Sequence, residues 1–368
     1  MKIAYDHQIF CQQPYGGISR YFSNLISWLV EMGEDAKIFS PIHCNEYIKS
    51  YPGSVFAGRY YERYPPKTMR LIKAYNNALS KHQIKSWKPD LIHETYYSGG
   101  SVAPKNCPIV TTVYDMIHEV YAEKLTNAKK TTDEKLASVN RADHVICISE
   151  NTKKDLIEIF NVPPQKVSVV LLGFDQFYRS SEMVAAKTSL HKPYLLYVGS
   201  RSGYKNFDMF INAIASSKNL IDEMNIICFG GGVFSKLELV HFEGLGFKKG
   251  QINQVSGGDE LLGSFYRGAV AFVYPSLYEG FGIPPLEAMV NDCPVICSNT
   301  SSVPEVVGDA GKYFDPNSVD DMRESIESVV YSESQRDSLR VLGKNRLRNF
   351  SWEKCANETL TVYKSLVR

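Results

Sequence analysis

Glu279 and Glu287 stand eight residues apart in YEGFGIPPLEAM (278–289), with Gly280, Phe281, Gly282, Ile283, Pro284 and Pro285 between them. Two glycines and two prolines do not belong in an ordinary surface helix. Glycine permits close backbone approach and positive φ, and proline suits the first turn of a helix. The segment therefore predicts a turn leading into a helix, with the amides around Leu286 and Glu287 facing outward. Amides at the positive end of a helix dipole suit a phosphate. Glu287, in the first turn, can accept two hydrogen bonds from a vicinal diol such as ribose. Glu279, ahead of the turn, can reach a second polyol. One ligand with a diphosphate between two diols would satisfy the whole arrangement. The plainer alternative is a Gly/Pro turn with two surface acids.

A basic pair supports the first reading. Arg201 and Lys205 lie in YVGSRSGYKNF, between a strand-like run and a helical one. Asn206 is placed to cap that helix. Two cations and a helix N-terminus bring about two and a half positive charges to a diphosphate of roughly −2 to −3. The chain has no D-x-D motif of the kind that holds a metal–diphosphate. For a diphosphate ligand the expectation is that the leaving group departs with the help of these fixed charges, with no metal and no cofactor. FGGGVF (229–234) lacks the G-x-G-x-x-G spacing of a dinucleotide loop, and either lines the site near a base or is only a turn.

The elements that must position these groups are legible in the apolar runs. KIAY (2–5) reads as a strand and QQPYGGIS as a turn. Ile18, Tyr21, Phe22, Leu25, Trp28, Leu29 and Met32 follow helical spacing, and AKIFS (36–40) begins a strand. This βαβ unit implies a parallel sheet. DLIHET, CPIVTTVYD and DHVICIS are continuous apolar runs, as strands covered on both faces are. Ser149 or Asn151 should cap the next helix. A polar stretch, 176–192, reads as a linker. A second series then runs from PYLLYVGS through NIICFGGG, VAFVYPS and CPVICSN to GKYFDP. The length, 368 residues, also suits two cores. The prediction is an α/β protein with two Rossmann-like domains, 1–180 and 181–350.

Composition narrows the function classes. The formal net charge of +1 implies no bulk attraction to nucleic acid. No apolar run reaches the length of a membrane span, and Asp6 sits where a signal peptide needs apolar residues. The eight cysteines form no C-x-x-C pair and mostly lie in apolar runs. They are read as buried, reduced thiols of a cytoplasmic protein rather than metal ligands.

PSLYEGFGIPPLEAM resembles the signature of retaining GT-B glycosyltransferases of family 4. SGGDELLGSFYRGAVAFVYPS ahead of it, NDCPVICSNTSSVPEVVGDAGKYFDP behind it, YVGSRSGYKNF, VICISENTKKDL and YGGISRYFSNL are also similar. The resemblance implies parallel sheets facing a central cleft, with the nucleotide mainly on the second domain and the acceptor mainly on the first. It also implies that the last helix, within 351–368, returns to the first domain. Glu279 would then bind hydroxyls of the donor sugar, and Phe281 and Gly282 would offer backbone amides to it. Glu287 would bind ribose, and Arg201 and Lys205 the diphosphate. Gly16 and Gly17 would close over the phosphates. Asp115 would be the acid of a His–Asp pair near the acceptor, although Tyr114 stands where the family often has histidine. His118, three residues on from Asp115, is the candidate substitute. The resemblance implies retention of anomeric configuration without an enzymic nucleophile.

The sequence reading thus favours hexose transfer from a nucleotide sugar, UDP-glucose first and GDP-mannose second, to a glycan or lipid-linked acceptor. A sugar-nucleotide epimerase and a silent sugar-nucleotide binder are the alternatives. Asp115 is read as an orienting group or a loop cap, and His93 as a structural histidine. Residues 59–88 carry eight Lys/Arg against Glu62 alone, with four tyrosines and Trp87 interleaved. They are read as a face for an anionic membrane, or as a solvated helix pair. No nucleic-acid motif accompanies the charge.

Overall fold

The computed structural model describes residues 1–174, 193–201 and 203–367. Contacts divide the chain into two units, Met1–Gly173 with Ser351–Arg368, and Phe174–Phe350. The expected 180/181 boundary and the 176–192 linker lie outside the described residues.

The first unit holds β1 (Lys2–Tyr5), β2 (Asp35–His43), β3 (Phe56–Tyr60), β4 (Leu91–Glu94), β5 (Ile109–Val113), β6 (His144–Cys147) and β7 (Val167–Val169). They pair in the order β3-β2-β1-β4-β5-β6-β7, every pair parallel. The helix Gly17–Glu31 buries Tyr21, Phe22, Leu25, Ile26 and Leu29, one stripe at helical spacing. Gly33, at φ 87°, carries the chain out of that helix. Ser149 caps the helix Glu150–Phe160 by accepting from the Thr152 amide.

The final helix, Trp352–Leu366, packs on Gly17–Glu31 within the first unit. Its Tyr363 hydroxyl lies 3.1 Å from the Tyr5 hydroxyl and 2.5 Å from His93 Nδ1. His93 Nε2 meets Thr112 Oγ1 at 2.9 Å. Both ring nitrogens are therefore satisfied in the core, and His93 is a structural histidine.

The second unit holds β8 (Tyr194–Val198), β9 (Asn225–Phe229), β10 (Ile252–Val255), β11 (Ala271–Tyr274), β12 (Val295–Ser298) and β13 (Gly311–Phe314). The order is β10-β9-β8-β11-β12-β13, again parallel throughout. Its core gathers Tyr197, Phe207, Phe210, Ile226, Val273 and Phe314. In each sheet the strand order reverses once, between β1 and β4 and between β8 and β11. Loops leaving the carboxyl ends of such strand pairs frame ligand crevices in open α/β sheets.

The basic stretch differs from the expected helix pair. It begins within the edge strand β3 and continues as one helix, Met69–Trp87. FAGRY carries little apolar pattern because β3 lies at the sheet edge and is partly solvated. All eight cysteines are free, seven buried and Cys107 half-buried.

Candidate functional site

The loops after β8 and β11 meet across the switch point of the second sheet. The Leu277 amide donates to Tyr204 O at 2.7 Å, and Asn206 Nδ2 donates to Pro275 O at 3.1 Å and Pro316 O at 2.8 Å. Asn206 is thus a loop tie rather than the expected helix cap: its side chain makes no capping bond to the helix Phe207–Ala215. These ties bring Lys205 Nζ to 2.6 Å from Glu279 Oε1. The ammonium also lies 5.2 Å from the Tyr204 ring centre and 5.7 Å from that of Tyr274. Burial, and then the negative charge of Glu279, push the Tyr274 phenol well above its ordinary range.

Serines that sequence reasoning missed fix the Glu279–Phe281 backbone. Ser301 Oγ donates to Glu279 O at 2.6 Å and accepts from the Glu279 amide at 3.1 Å. Ser302 Oγ donates to Glu279 O and Phe281 O at 2.8 and 2.9 Å. The signal available was the polar run SNTSS, which offers hydroxyls but no spacing that names their acceptors. Phe281 is buried with its ring edge against Phe350.

Gly282, at φ 105°, turns the chain into the helix Ile283–Val290. Leu286 and Glu287 are its fourth and fifth residues. Pro284 and Pro285 have no N–H, so the donors at this helix start are those of Gly282, Ile283 and the residues from Leu286 on. Leu286 is fully buried. Glu287 Oε2 accepts from Tyr266 Oη at 3.2 Å, across to the helix Asp259–Gly268.

Arg201 is more committed than its sequence context suggests. Nε donates to Glu238 Oε1 at 2.7 Å, Nη1 to Gly232 O at 3.0 Å and Gly230 O at 3.4 Å, and Nη2 to Val233 O at 3.3 Å. The guanidinium also lies over Phe234, 4.6 Å from its centre. It therefore clamps the glycine turn after β9, whose Gly230, Gly231 and Gly232 all have positive φ. Burial works against the charge on Glu238, but hydrogen bonds from Arg201 and from the Ser235 amide bring its carboxyl down to about 2. The charge count made from sequence treated both cations as unpaired. Here each already has a carboxylate, Glu238 for Arg201 and Glu279 for Lys205.

The first-unit candidates sit apart from this cluster in sequence and occupy their own sheet's loops. Gly16 precedes the helix Gly17–Glu31, where a Cβ would run into Gln13 Oε1, whereas one on Gly17 would meet open space. Asp115 Oδ1 accepts from the Ile117 amide at 3.0 Å. The buried Lys135 ammonium donates to Asp115 O at 2.8 Å and to Glu119 Oε2 at 2.7 Å. Tyr114 is buried and its hydroxyl donates to Thr95 O at 3.4 Å. Burial keeps that phenol well above its ordinary range, so it cannot act as the base a histidine would be. His118 is half-buried, its Nδ1 is without a partner, and no hydrogen bond joins it to Asp115.

Two parallel Rossmann-like sheets, each with loops gathered at its switch point, define the GT-B class of fold. Residues 15–176 match the family described as Glycosyltransferase Family 4, and residues 180–346 match Glycosyl transferases group 1. The chain belongs to family 4 of the GT-B glycosyltransferases. It is 32% identical over 241 residues to the O-antigen chain mannosyltransferase B of Escherichia coli, an alignment covering 62% of each chain. Two further matches, to serotype-specific mannosyltransferases of Escherichia coli, cover 38% and 30% of those proteins. The chain thus spans between about a third and three fifths of the length of the curated relatives it first matches. In fold it is similar to sucrose-phosphate synthase from Thermosynechococcus elongatus, with TM-score 0.77, 20% identity and 99% and 98% of the two chains covered. It is also similar to the Anabaena protein HepE solved with UDP and glucose, with TM-score 0.73, 15% identity and 99% and 100% coverage.

Proposed function

We propose that the chain moves a hexose, with retention, from a nucleotide sugar to a hydroxyl of a glycan or lipid-linked acceptor in polysaccharide assembly. The observation that carries this reading is the Lys205–Glu279 bridge beside the Gly282–Ile283 helix start, at one switch point. Glu279 exchanges part of its bond to Lys205 for donor-sugar hydroxyls. Lys205, with one of its three N–H groups on Glu279, turns others to the diphosphate. Gly282 and Ile283 add backbone N–H groups at a helix N-terminus. Glu287, already polarised by Tyr266, takes the ribose diol. Arg201 holds the glycine turn and gains phosphate oxygens by releasing loop carbonyls. Charge developing on the leaving nucleotide is thereby neutralised by fixed groups, without a metal.

In the retaining step the C1–oxygen bond to the diphosphate breaks, and the acceptor oxygen bonds C1 from the same face. The acceptor proton passes to a diphosphate oxygen. No side chain is assigned as nucleophile. Asp115 orients the acceptor side.

The names of the Escherichia coli relatives favour mannose, and hence GDP-mannose as donor. The HepE complex with UDP and glucose supports the second reading, UDP-glucose. Incubation with each donor alone tests both. Slow hydrolysis of one donor is expected, with faster consumption by transfer once a mannan acceptor is added, both unchanged by EDTA. Epimer formation, or turnover restored only by magnesium, would overturn it.

The reading includes work in the cytoplasm with peripheral contact to an anionic membrane. No helix among the described residues is long and apolar enough to cross one. The segment 59–88 exposes Arg59, Arg63, Lys67 and Arg70 together with Tyr61 and Leu71, charge and amphipathic area suited to that surface. Co-sedimentation with phosphatidylglycerol vesicles at low salt is expected; its absence removes this part.

A further inference from the structure

The helix Lys236–Gly244 has nine residues, and only Phe242 is buried. The Phe242 ring lies 5.3 Å from that of Phe234 and 6.1 Å from that of Phe207, which anchors one side of the helix to the second core. The opposite side is open and aliphatic. Leu237 is 83% exposed, Val240 67%, and Val233, in the loop just ahead, 85%. Leu237, Val240, His241 and Gly244 fall at i, i+3, i+4 and i+7, which sets them along one face. A solvent-facing helix surface normally carries charged and polar residues there. Clustered exposed aliphatic side chains instead mark an interaction surface.

The helix is a firm platform. Ser235 Oγ accepts from the Glu238 amide at 3.2 Å, and Glu238 Oε2 accepts from the Ser235 amide at 2.7 Å. Glu238 Oε1 is held by Arg201. Gly244 has no side chain, so a second helix can come close at that end.

The chemistry of the face fits a copy of itself. Lys236 and Glu243 are seven positions apart, which returns them to the same flank of the helix after two turns, and both are exposed. When two such helices pack antiparallel about a two-fold axis, like flanks meet with their ends exchanged. Lys236 of each copy then faces Glu243 of the other, and Leu237 enters the space between Val240 and Gly244. An anionic lipid surface suits the face less well, because Glu243 borders it. A contact this short buries less than the standard interface of about 1,600 Å², so the association is reversible.

We infer that the face of Leu237, Val240 and Gly244 joins two copies of this chain in a reversible antiparallel dimer, registered by reciprocal Lys236–Glu243 pairs. The inference stands apart from the proposed glycosyl transfer.

Sedimentation velocity of the full chain, over a dilution series at low salt, tests it. A concentration-dependent monomer–dimer equilibrium is expected. Lys236→Glu and Glu243→Lys each set like charges together at two places, and each should weaken dimerisation about tenfold. An equimolar mixture of those two variants should recover it, because an acidic flank then meets a basic one. Leu237→Glu should abolish it. All three positions are exposed, and an unchanged melting temperature checks the fold. A chain that is monomeric at every concentration overturns the inference. So do charge variants that leave the equilibrium unmoved, or a mixture that fails to recover it. A monomer that binds phosphatidylglycerol vesicles and loses them on Leu237→Glu also overturns it, and assigns the face to lipid.

Discussion

Lys205 Nζ and Glu279 Oε1 are 2.6 Å apart although the residues are 74 positions apart in the chain. The bond joins the loops that leave β8 and β11, the two strands between which the sheet order reverses. Each partner is largely shielded from solvent, so each leaves the other uncompensated when removed.

Lys205→Ala and Glu279→Gln are each expected to lower kcat/KM for the nucleotide sugar by about 10²–10³. Stability should show the coupling. A double-mutant cycle in urea should return an interaction of about 1–3 kcal/mol between the two positions. Additive losses would mean that the bridge contributes nothing beyond its separate ends.

Gly231 and Gly232 give a paired test of the Arg201 clamp. Both have positive φ, 71° and 74°, so alanine strains each by about 1–2 kcal/mol. Only at Gly231 would the new Cβ also lie 2.6 Å from Arg201 Nη1 and 2.8 Å from Gly199 O. Gly231→Ala should therefore raise the KM for nucleotide sugar well above that of Gly232→Ala. Equal KM values would release Arg201 and its loop from any part in binding.

Lys135 is fully buried against Glu119, itself 3% exposed along its side chain. Lys135→Met leaves that carboxylate unpaired and should cost about 3–5 kcal/mol in urea unfolding. Adding Glu119→Leu should recover most of the loss, because the apolar pair has no charge to desolvate. The Asp115 loop loses the Lys135 bond in both variants. Transfer should therefore stay reduced after stability returns, if that loop orients the acceptor.

Acid should unfold the first unit through its buried histidines. Burial, with the charge of Lys73 second, lowers His7 to about 4; burial alone comes first for His43, about 4, and His93, about 3. Unfolded, all three titrate near 6.5. The unfolded chain binds these protons first, so their stability contribution is intact above pH 6.5 and falls as pH drops toward 4 and then 3. For these three protons alone the slope would approach about 4 kcal/mol per pH unit; Asp6 and Glu94, whose carboxyls burial raises, take up protons in the folded chain and oppose it. His43→Phe, beside the Phe56 ring, should remove about a third of it. An identical pH dependence of stability in His43→Phe and the unmodified chain between pH 6 and 4 would contradict the assignment.

The strands were legible because a two-sided parallel sheet demands continuous apolar runs. LIHE, IVTTV and HVIC became β4, β5 and β6 with ends shifted by only a residue or two. The edge strand β3 was not legible, since solvent on one side removes that demand. The turn before Ile283 was legible for a different reason: glycine and proline act on their own backbone, and Gly282 does adopt φ 105°.

Sequence by itself determined the tandem α/β series, the glycine–proline turn and the presence of two acids and two bases. Their partners were decided only by tertiary structure. Side-chain type states which charge a residue carries, but its neighbour is fixed by strand order, which folds remote loops onto one sheet edge. So Lys205 met Glu279, Arg201 was taken up by Glu238 and a glycine turn, and Tyr114 was sealed in the core.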